Sequence, residues 1–465
     1  MKQLKSIFTI FFVLIIQLSF AQSLMFTKAE IVEDLAFLKQ ELIENHPSLY
    51  TYSTENEVDA FFEKLALSLP QKMTETEVHK IISSVSQIIK DGHSYVYPTK
   101  KRLEMFYNSS LLFPLDVFWN DEKLYVLRNL QGLNVQRNLP NGSEISTING
   151  VSVQEIHQTI TQNLSRDGDN MVYPNFLFYE FFPAYYSFFY GFQDEFTIDF
   201  LTENDSLETI KISGLTRSKR KERKKIYYPE SFEGSITNPG ISTWNHQTEN
   251  YAILKIQSFE NKGLKTYYQQ KFKEEIKNAF KEIERQNVEN LVIDLRGNQG
   301  GEVGNGVYLL QHILREPFQT TALYQKIQYD ETTKTRSFKQ IGGKIPTVVK
   351  PKKSAFKGKV FLLVDGGSYS CSAIVANAFQ QENRGKIIGT MTGGSAFINS
   401  GGPNNLLELP NSKVQFTIPS RQFVLQNTPN IKQGVKPDYE VQTTIKAILE
   451  NKDLQIEQVK KLIQE

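Results

Sequence analysis

The amino-acid sequence predicts a mixed α/β protein with a helical front, a β-rich middle module and a final α/β domain. The front repeats a helix-capping pattern, the middle alternates short apolar segments with turn residues, and the final part alternates apolar strands with amphipathic helices. The chain has 465 residues, more than the roughly 250 to 300 at which a single core stops growing. Several domains are therefore expected.

The first residues predict an export signal. Two lysines precede an almost unbroken apolar run from Ile7 to Phe20, and small residues stand at Ser19 and Ala21. A membrane span needs about 20 apolar residues, which this run does not reach, so cleavage after Ala21 is favoured over an uncleaved anchor. We expect residues 1–21 to be a signal peptide. We expect the mature protein to be periplasmic or extracellular, with no membrane span.

Composition limits the partners of this chain. It has 53 lysines and arginines against 51 acidic residues, so no net field favours nucleic acid. The single cysteine, Cys371, excludes an internal disulfide and any multi-thiolate metal site. No zinc-like ligand spacing is present, and we expect neither a metal nor another cofactor.

Three helices are predicted in the front segment, residues 22–95, because a threonine stands three residues before a glutamate at three places. This spacing is typical of a capping box. The pairs are Thr27 with Glu30, Thr54 with Glu57, and Thr74 with Glu77. The third helix has one apolar stripe and should stop at Asp91-Gly92, which places His93 just after its C-terminal end.

The middle module, residues 111–215, is predicted to be rich in short strands. Its segment Gly142–Val151, followed by an amphipathic helix from about Val153, resembles the strand-turn-helix core of PDZ domains. Those domains bind chain ends in a groove beside that helix. A plain Asn-Gly hairpin turn is the alternative. The aromatic run from Phe176 to Phe192 is interpreted as core packing.

Two loops in the last domain are unusually rich in small residues. Asp294–Gly301 follows one predicted strand, and Asp365–Ser372 follows another and opens a helix. Open α/β sheets bind ligands at the carboxyl ends of their strands. Backbone N–H groups and a helix N-terminus there could stabilise an oxyanion. Each loop taken alone could equally be an ordinary connection or a helix cap.

The order of four motifs resembles the tail-specific, or C-terminal processing, protease family. The motifs are Asp-Leu-Arg-Gly-Asn-x-Gly-Gly at 294–301, Ser-x-Ser-x-Ser at 368–372, Ile-Ile-Gly-x-x-Thr-x-Gly at 387–394 and Gly-Val-x-Pro-Asp at 434–438. The resemblance implies a ββα-spiral (crotonase-like) catalytic core over residues 240–445, followed by a helix over 446–465. It also implies a serine nucleophile at Ser370 and an oxyanion hole made by the N–H groups of Cys371, Gly300 and Gly301.

The general base departs from the pattern of most bacterial members of that family. Their lysine base is replaced here by Ser395. The tricorn-like branch pairs its serine with a histidine that precedes the PDZ-like domain, and this resemblance implies that His93 is the base. A helix C-terminus beside His93 would raise its pKa. The residue that orients the imidazole is open among Asp91, Ser94, Ser395, Glu408 and Glu440, and Glu440 is our choice.

The sequence thus predicts an exported serine peptidase that hydrolyses peptide bonds through an acyl-enzyme on Ser370, with its peptide or protein substrate recognised by the C-terminus. Two alternatives stay open. One is a catalytically inactive peptide-binding protein on the same scaffold, which the missing lysine motivates. The other is a hydrolase of small esters or amides.

Overall fold

A computed structural model describes residues 24–202, 204–229, 240–341, 347–426 and 433–465. The predicted signal peptide lies outside these ranges. Within them, no helix combines the length and the apolar character that a membrane crossing requires.

The front segment confirms the three predicted helix starts, since each threonine accepts the N–H of its glutamate while the glutamate reaches back to the threonine N–H. The third predicted helix divides in two near Ser84, and Lys90 ends the second part in a left-handed conformation. The elements are β1 (Met25–Thr27), α1 (Lys28–Asn45), α2 (Glu55–Ser68), β2 (Lys72–Thr74), α3 (Glu75–Ser83), α4 (Ser86–Ile89), β3 (Val96–Tyr97) and α5 (Lys100–Asn108).

The middle module contains the predicted antiparallel strands together with four helices and a basic fifth. Its elements are β4 (Leu111–Leu112), β5 (Leu115–Asn120), β6 (Lys123–Asn129), α6 (Leu133–Asn138), β7 (Glu144–Ile148), β8 (Val151–Ser152), α7 (Val153–Thr161), α8 (Val172–Glu180), α9 (Phe182–Tyr190), β9 (Glu195–Leu201), β10 (Leu207–Ser213), β11 (Leu215–Thr216) and α10 (Arg217–Tyr227). The main sheet has the order β10-β9-β7-β6-β5, with β8 paired to β7.

The aromatic run forms α8 and α9, and its packing role is confirmed because most of its rings are buried in the module core. Helix α8 lies against both β5 and α7. At that junction Trp119 of β5 stacks on His157 of α7 with ring centroids 3.9 Å apart, and His157 bonds Asn175 of α8 at 2.8 Å. Helix α8 therefore packs on both α7 and the edge strand β5 of the main sheet.

The last domain is built on a sheet whose central strands are parallel, within the alternation of strands and helices that the sequence predicts. The order is β12-β13-β14-β17-β18-β21, and only β12 is antiparallel to its neighbour. The strands and helices are β12 (Ile241–His246), β13 (Tyr251–Ile256), α11 (Phe272–Arg285), β14 (Asn290–Asp294), α12 (Val303–Ile313), β15 (Thr321–Asp330), β16 (Thr335–Gln340), β17 (Lys359–Val364), α13 (Cys371–Gln381), β18 (Lys386–Gly389), β19 (Ile398–Glu408), β20 (Gln415–Leu425), β21 (Tyr439–Glu440), α14 (Ile445–Leu449) and α15 (Leu454–Gln464).

A second sheet in this domain was not predicted. Its order is β16-β15-β20-β19, and β3 of the front segment pairs with β20. Strand β19 contains Gly401, Gly402 and Pro403, which are poor strand residues, and its register shifts at that point. The single helix predicted for residues 446–465 is also wrong, because residues 450–453 separate α14 from α15.

Candidate active site

The two glycine-rich loops lie side by side at the carboxyl ends of β14 and β17. Tyr369 donates its N–H to the Asn298 carbonyl at 3.1 Å, and the Ser372 hydroxyl donates to the same oxygen at 2.7 Å. The Gly297 N–H is held by Asp365 Oδ1 at 2.8 Å. These bonds explain why the motifs are rich in Asn, Ser and Gly. The short side chains of these residues let the two loops approach closely enough to hydrogen-bond each other.

Ser370 has a strained backbone at the start of α13. Its φ of 53° and ψ of −118° are unusual for a residue other than glycine. A sharp turn of this kind between a strand and a helix presents a serine hydroxyl above the sheet. Gly300 makes room for it, since a Cβ there would lie 2.8 Å from the Ser370 Cβ and 2.9 Å from the Cys371 nitrogen.

His93 reaches this serine because β3 is attached to the second sheet. The Tyr95 N–H donates to Thr417 Oγ1 of β20 at 2.8 Å, and the Thr417 hydroxyl lies 3.2 Å from the His93 carbonyl. In this position His93 Nε2 lies 3.1 Å from Ser370 Oγ. Two predicted site residues, 277 positions apart in the chain, are thus within hydrogen-bond distance.

The surroundings of His93 favour its neutral form. Burial lowers the pKa of His93, and this effect outweighs the opposing influence of the Asp91 carboxylate. The predicted upward displacement of this pKa by a helix end is therefore wrong. Helix α4 ends at Ile89, and the intervening Lys90 turns the chain away from the helix axis. A neutral imidazole can accept a proton from a serine hydroxyl.

Two of the predicted oxyanion donors, Cys371 and Gly300, lie beside Ser370, and the three donors differ in their present bonding. Cys371 is the first residue of α13, where a backbone N–H has no partner within its own helix. The Gly300 N–H instead donates to Asn298 Oδ1 at 2.9 Å. Gly301 has a φ of 135°, and a Cβ at this position would lie 2.9 Å from the Glu260 Cα, so glycine is required there.

The structure places Glu440 away from the imidazole. It is exposed on β21, the edge strand beside β18, where it pairs with Gly389. The other four candidates for the third position are also engaged elsewhere. Asp91 bonds the backbone N–H of His93, and Ser94 bonds Asp91. The Ser395 hydroxyl accepts from the Tyr52 hydroxyl and the Phe397 N–H, and Glu408 pairs with Lys100.

The third residue is expected to bond His93 Nδ1, and the residue found there is Tyr369, which the sequence did not predict. Tyr369 Oη lies 3.0 Å from His93 Nδ1 and 3.3 Å from Asp167 Oδ1. Asp167 also accepts the N–H groups of Gly92 and Ser395, each at 2.9 Å. Burial, followed by the nearby Asp91 carboxylate, raises the pKa of Asp167, whereas its hydrogen-bond donors lower it.

Other polar groups near the site have structural roles. The Cys371 thiol is fully buried and points toward Glu302 and Gly306, and burial raises its pKa to about 12. In the Asp-Leu-Arg-Gly motif, Arg296 joins Asp294 at 2.7 Å and Asp453 of α15 at 2.8 Å. The described residues contain no cluster of three or more His, Cys, Asp or Glu side chains arranged to bind a metal.

The last domain resembles a known peptidase family in sequence. Residues 250–441 match peptidase family S41. This matched region, residues 250–441, contains both glycine-rich loops, Ser370 and Ser395. A tail-specific protease of Haemophilus influenzae is 28% identical over 196 residues, which is 41% of this chain and 24% of that protein. This chain thus aligns with about a quarter of the length of that curated relative.

Solved structures extend the likeness to the chain as a whole. Mature CPAF complexed with lactacystin matches with a TM-score of 0.66 and 13% identity, over 94% of this chain and 98% of that chain. Mature CPAF alone matches with a TM-score of 0.65 and 14% identity, over 94% and 97%. Identities of this size show a shared mixed α/β fold alone. The match of residues 250–441 to peptidase family S41 is the finding that bears on activity.

Proposed function

We propose that this chain hydrolyses peptide bonds through an acyl-enzyme on Ser370, with His93 as its general base. The observation that supports this proposal most is the 3.1 Å separation of His93 Nε2 and Ser370 Oγ. Nε2 takes the hydroxyl proton as Oγ attacks the substrate carbonyl carbon, and the imidazolium then gives that proton to the leaving amine. Water, activated by the same nitrogen, hydrolyses the ester and restores the serine.

The negative charge that develops on the carbonyl oxygen requires donors beside Ser370. We assign this role to the N–H groups of Cys371 and Gly301, the first supported by the helix N-terminus at α13. The Gly300 N–H would join them only after leaving Asn298. On this proposal, Gly300 acts mainly by giving the oxyanion and the serine room.

The finer family features belong to the same proposal. The base is a histidine rather than a lysine, as in the tricorn-like branch, because Ser395 occupies the position of the lysine. Residues 111–215 act as a PDZ-like module, residues 240–445 as a ββα-spiral catalytic domain, and residues 1–21 as a signal peptide that directs the protein to the periplasm or the outside. On this proposal the module recognises a substrate C-terminus. Peptides with free and amidated C-termini should then differ in affinity.

A fluorophosphonate probe tests the proposal, because it reacts with activated serine nucleophiles. The chain beginning at Gln22 should be labelled, Ser370→Ala should abolish labelling, and His93→Ala should lose most of the labelling rate. Exposed His246 lies at the end of β12, and His246→Ala is the matched control that should label normally.

Three outcomes separate the candidate functions. Labelling with cleavage of a peptide library supports a peptidase. Labelling with turnover of small esters or amides alone supports the narrower hydrolase. The absence of labelling in a folded wild-type protein at high probe concentration would contradict the proposal and favour the inactive peptide-binding protein.

A further inference from the structure

We infer that Asp167 and Tyr369 are positioning residues for His93, with the Asp167 carboxylate orienting the tyrosine hydroxyl and that hydroxyl holding the imidazole in one tautomer. The catalytic meaning of this inference rests on the proposed function, but the arrangement itself depends only on contacts among described residues. Neither Glu440 nor any other acidic side chain among those residues contacts the ring directly. The tyrosine takes that place and links the ring to a buried acid.

Hydrogen-bond accounting selects one tautomer. A tyrosine hydroxyl has one hydrogen, and each nitrogen of a neutral imidazole either donates or accepts. If the Tyr369 hydrogen lies toward Asp167, its oxygen accepts a hydrogen from His93 Nδ1, and Nε2 is left with a lone pair facing Ser370. The reverse orientation would put the ring hydrogen on Nε2, where it could not accept the serine proton.

Asp167 has the bonding that this direction requires. Burial, followed by the Asp91 carboxylate, raises the pKa of Asp167 to about 7, so at mildly alkaline pH most of this group is ionised. An ionised carboxylate only accepts hydrogen bonds, and Asp167 has donors at both oxygens: the Gly92 N–H and the tyrosine at Oδ1, and the Ser395 N–H at Oδ2. The Asp167 side chain is 2% exposed, so water does not compete effectively for these sites. Because Gly92 directly precedes His93, the same carboxylate fixes both the ring and its backbone.

The position of the hydroxyl is fixed by packing. The Tyr369 ring stacks on Tyr173 with centroids 4.0 Å apart and planes at 6°, and its other contacts include the His93 ring at 4.9 Å. The space that a Cβ at Gly92 would fill is occupied by the Tyr369 hydroxyl and the adjacent ring carbon Cζ, the latter at 2.7 Å. A tyrosine held on these sides cannot rotate away from the histidine.

The test is Tyr369→Phe, which keeps the ring and its stacking and removes only the hydroxyl. Tyr186 is the matched control, because it is 1% exposed in the same hydrophobic cluster and faces Phe113 and Phe182 instead of His93. Asp167→Asn is a harsher second variant. Its amide nitrogen must face either the Gly92 or the Ser395 N–H, so it should lower stability as well as activity.

The first readout is the imidazole itself, observed by ¹⁵N NMR at mildly alkaline pH and assigned with His93→Ala. We expect the wild type and Tyr186→Phe to hold the hydrogen of His93 on Nδ1. We expect Tyr369→Phe to show a mixture of tautomers or the Nε2–H form. An unchanged tautomer in folded Tyr369→Phe would overturn the inference. This readout needs no turnover, so it decides the positioning of the ring even if the chain hydrolyses nothing.

The second readout is the rate of fluorophosphonate labelling. Loss of one hydrogen bond to a group that becomes charged should slow Tyr369→Phe by roughly 5- to 150-fold, while Tyr186→Phe labels like the wild type. With peptide substrate the loss should fall in kcat rather than KM, because the hydroxyl faces the histidine and not the ligand. Equal labelling rates in Tyr369→Phe and wild type would overturn the inference alone, and a wild type that never labels would overturn the proposed function alone.

Discussion

Gly92→Ala is a small substitution that should displace Tyr369, and so disturb the position of His93, without changing His93 itself. The backbone at Gly92 is compatible with alanine, since it is not among the residues with positive φ. The added Cβ would lie 2.7 Å from Tyr369 Cζ, nearer still to the hydroxyl, and 3.0 Å from Asp167 Oδ1. Carbon atoms in contact lie about 3.5 to 4.0 Å apart, so the ring must withdraw by roughly 0.8 Å or more.

That displacement has two measurable effects. Overpacking of a buried site costs about 1 to 3 kcal/mol, which should lower the urea midpoint of unfolding. The hydroxyl can no longer bond both His93 and Asp167, and a loss of about 1 to 3 kcal/mol in the transition state corresponds to roughly 5- to 150-fold slower fluorophosphonate labelling. In the Tyr369→Phe background the same substitution should slow labelling little further, because the hydrogen bonds are already absent.

Gly132→Ala is the control, because a Cβ at Gly132 meets no heavy atom within 4 Å. It should label like the wild type, and its free energy of unfolding should fall by no more than about 1 kcal/mol, because alanine is a poorer N-cap for α6 than glycine. If Gly92→Ala is folded and labels at the wild-type rate, the contact between Tyr369 and His93 does not govern the reactivity of the serine, and the reasoning is refuted.

Three further predictions concern other groups. The pKa of His93, followed by ¹⁵N NMR, should lie below about 6.5, the ordinary imidazole value, because burial disfavours the protonated ring; a midpoint above that value would contradict this. Iodoacetamide should modify Cys371 only after denaturation, as mass spectrometry can show, since the thiol is buried and its pKa is raised to about 12. Arg296→Ala should cost about 3 to 5 kcal/mol in urea unfolding because Asp294 is left buried without its partner, whereas exposed Lys211→Ala should cost less than about 1 kcal/mol.

Local sequence patterns predicted those parts of the fold that local physics determines. The capping threonines of the front segment satisfy N–H groups three residues away, so their signal is contained in a few positions. The buried strands β13, β14, β17 and β18 have continuous apolar runs because helices or loops cover both faces of the sheet. Strand β19 gave no such signal, since it is held by pairing with β20 despite its glycines and proline.

Some residues of the candidate site could likewise be predicted from the sequence, and others could not. Ser370 is marked by its glycine-rich loop, and His93 was found from the family resemblance together with the missing lysine. Asp167 could not be found, because its segment Ser165–Asn170 has the Asp, Gly and Asn residues of an ordinary loop. Asp167 and Tyr369 are 202 positions apart in the sequence, and no local pattern near either residue predicts their contact. Tyr369 offered one weak signal, its place directly before the nucleophile.

Tyr369 also bears on how the chain unfolds. Although it belongs by sequence to the last domain, its ring lies in the hydrophobic core of the middle module, among the aromatic residues of α8 and α9. A ring shared in this way couples the two stabilities, because opening either domain exposes part of the core of the other. The consequence is that the boundary between residues 215 and 240 does not separate two independent cooperative units, and either domain produced alone would present an unfilled or uncovered aromatic surface.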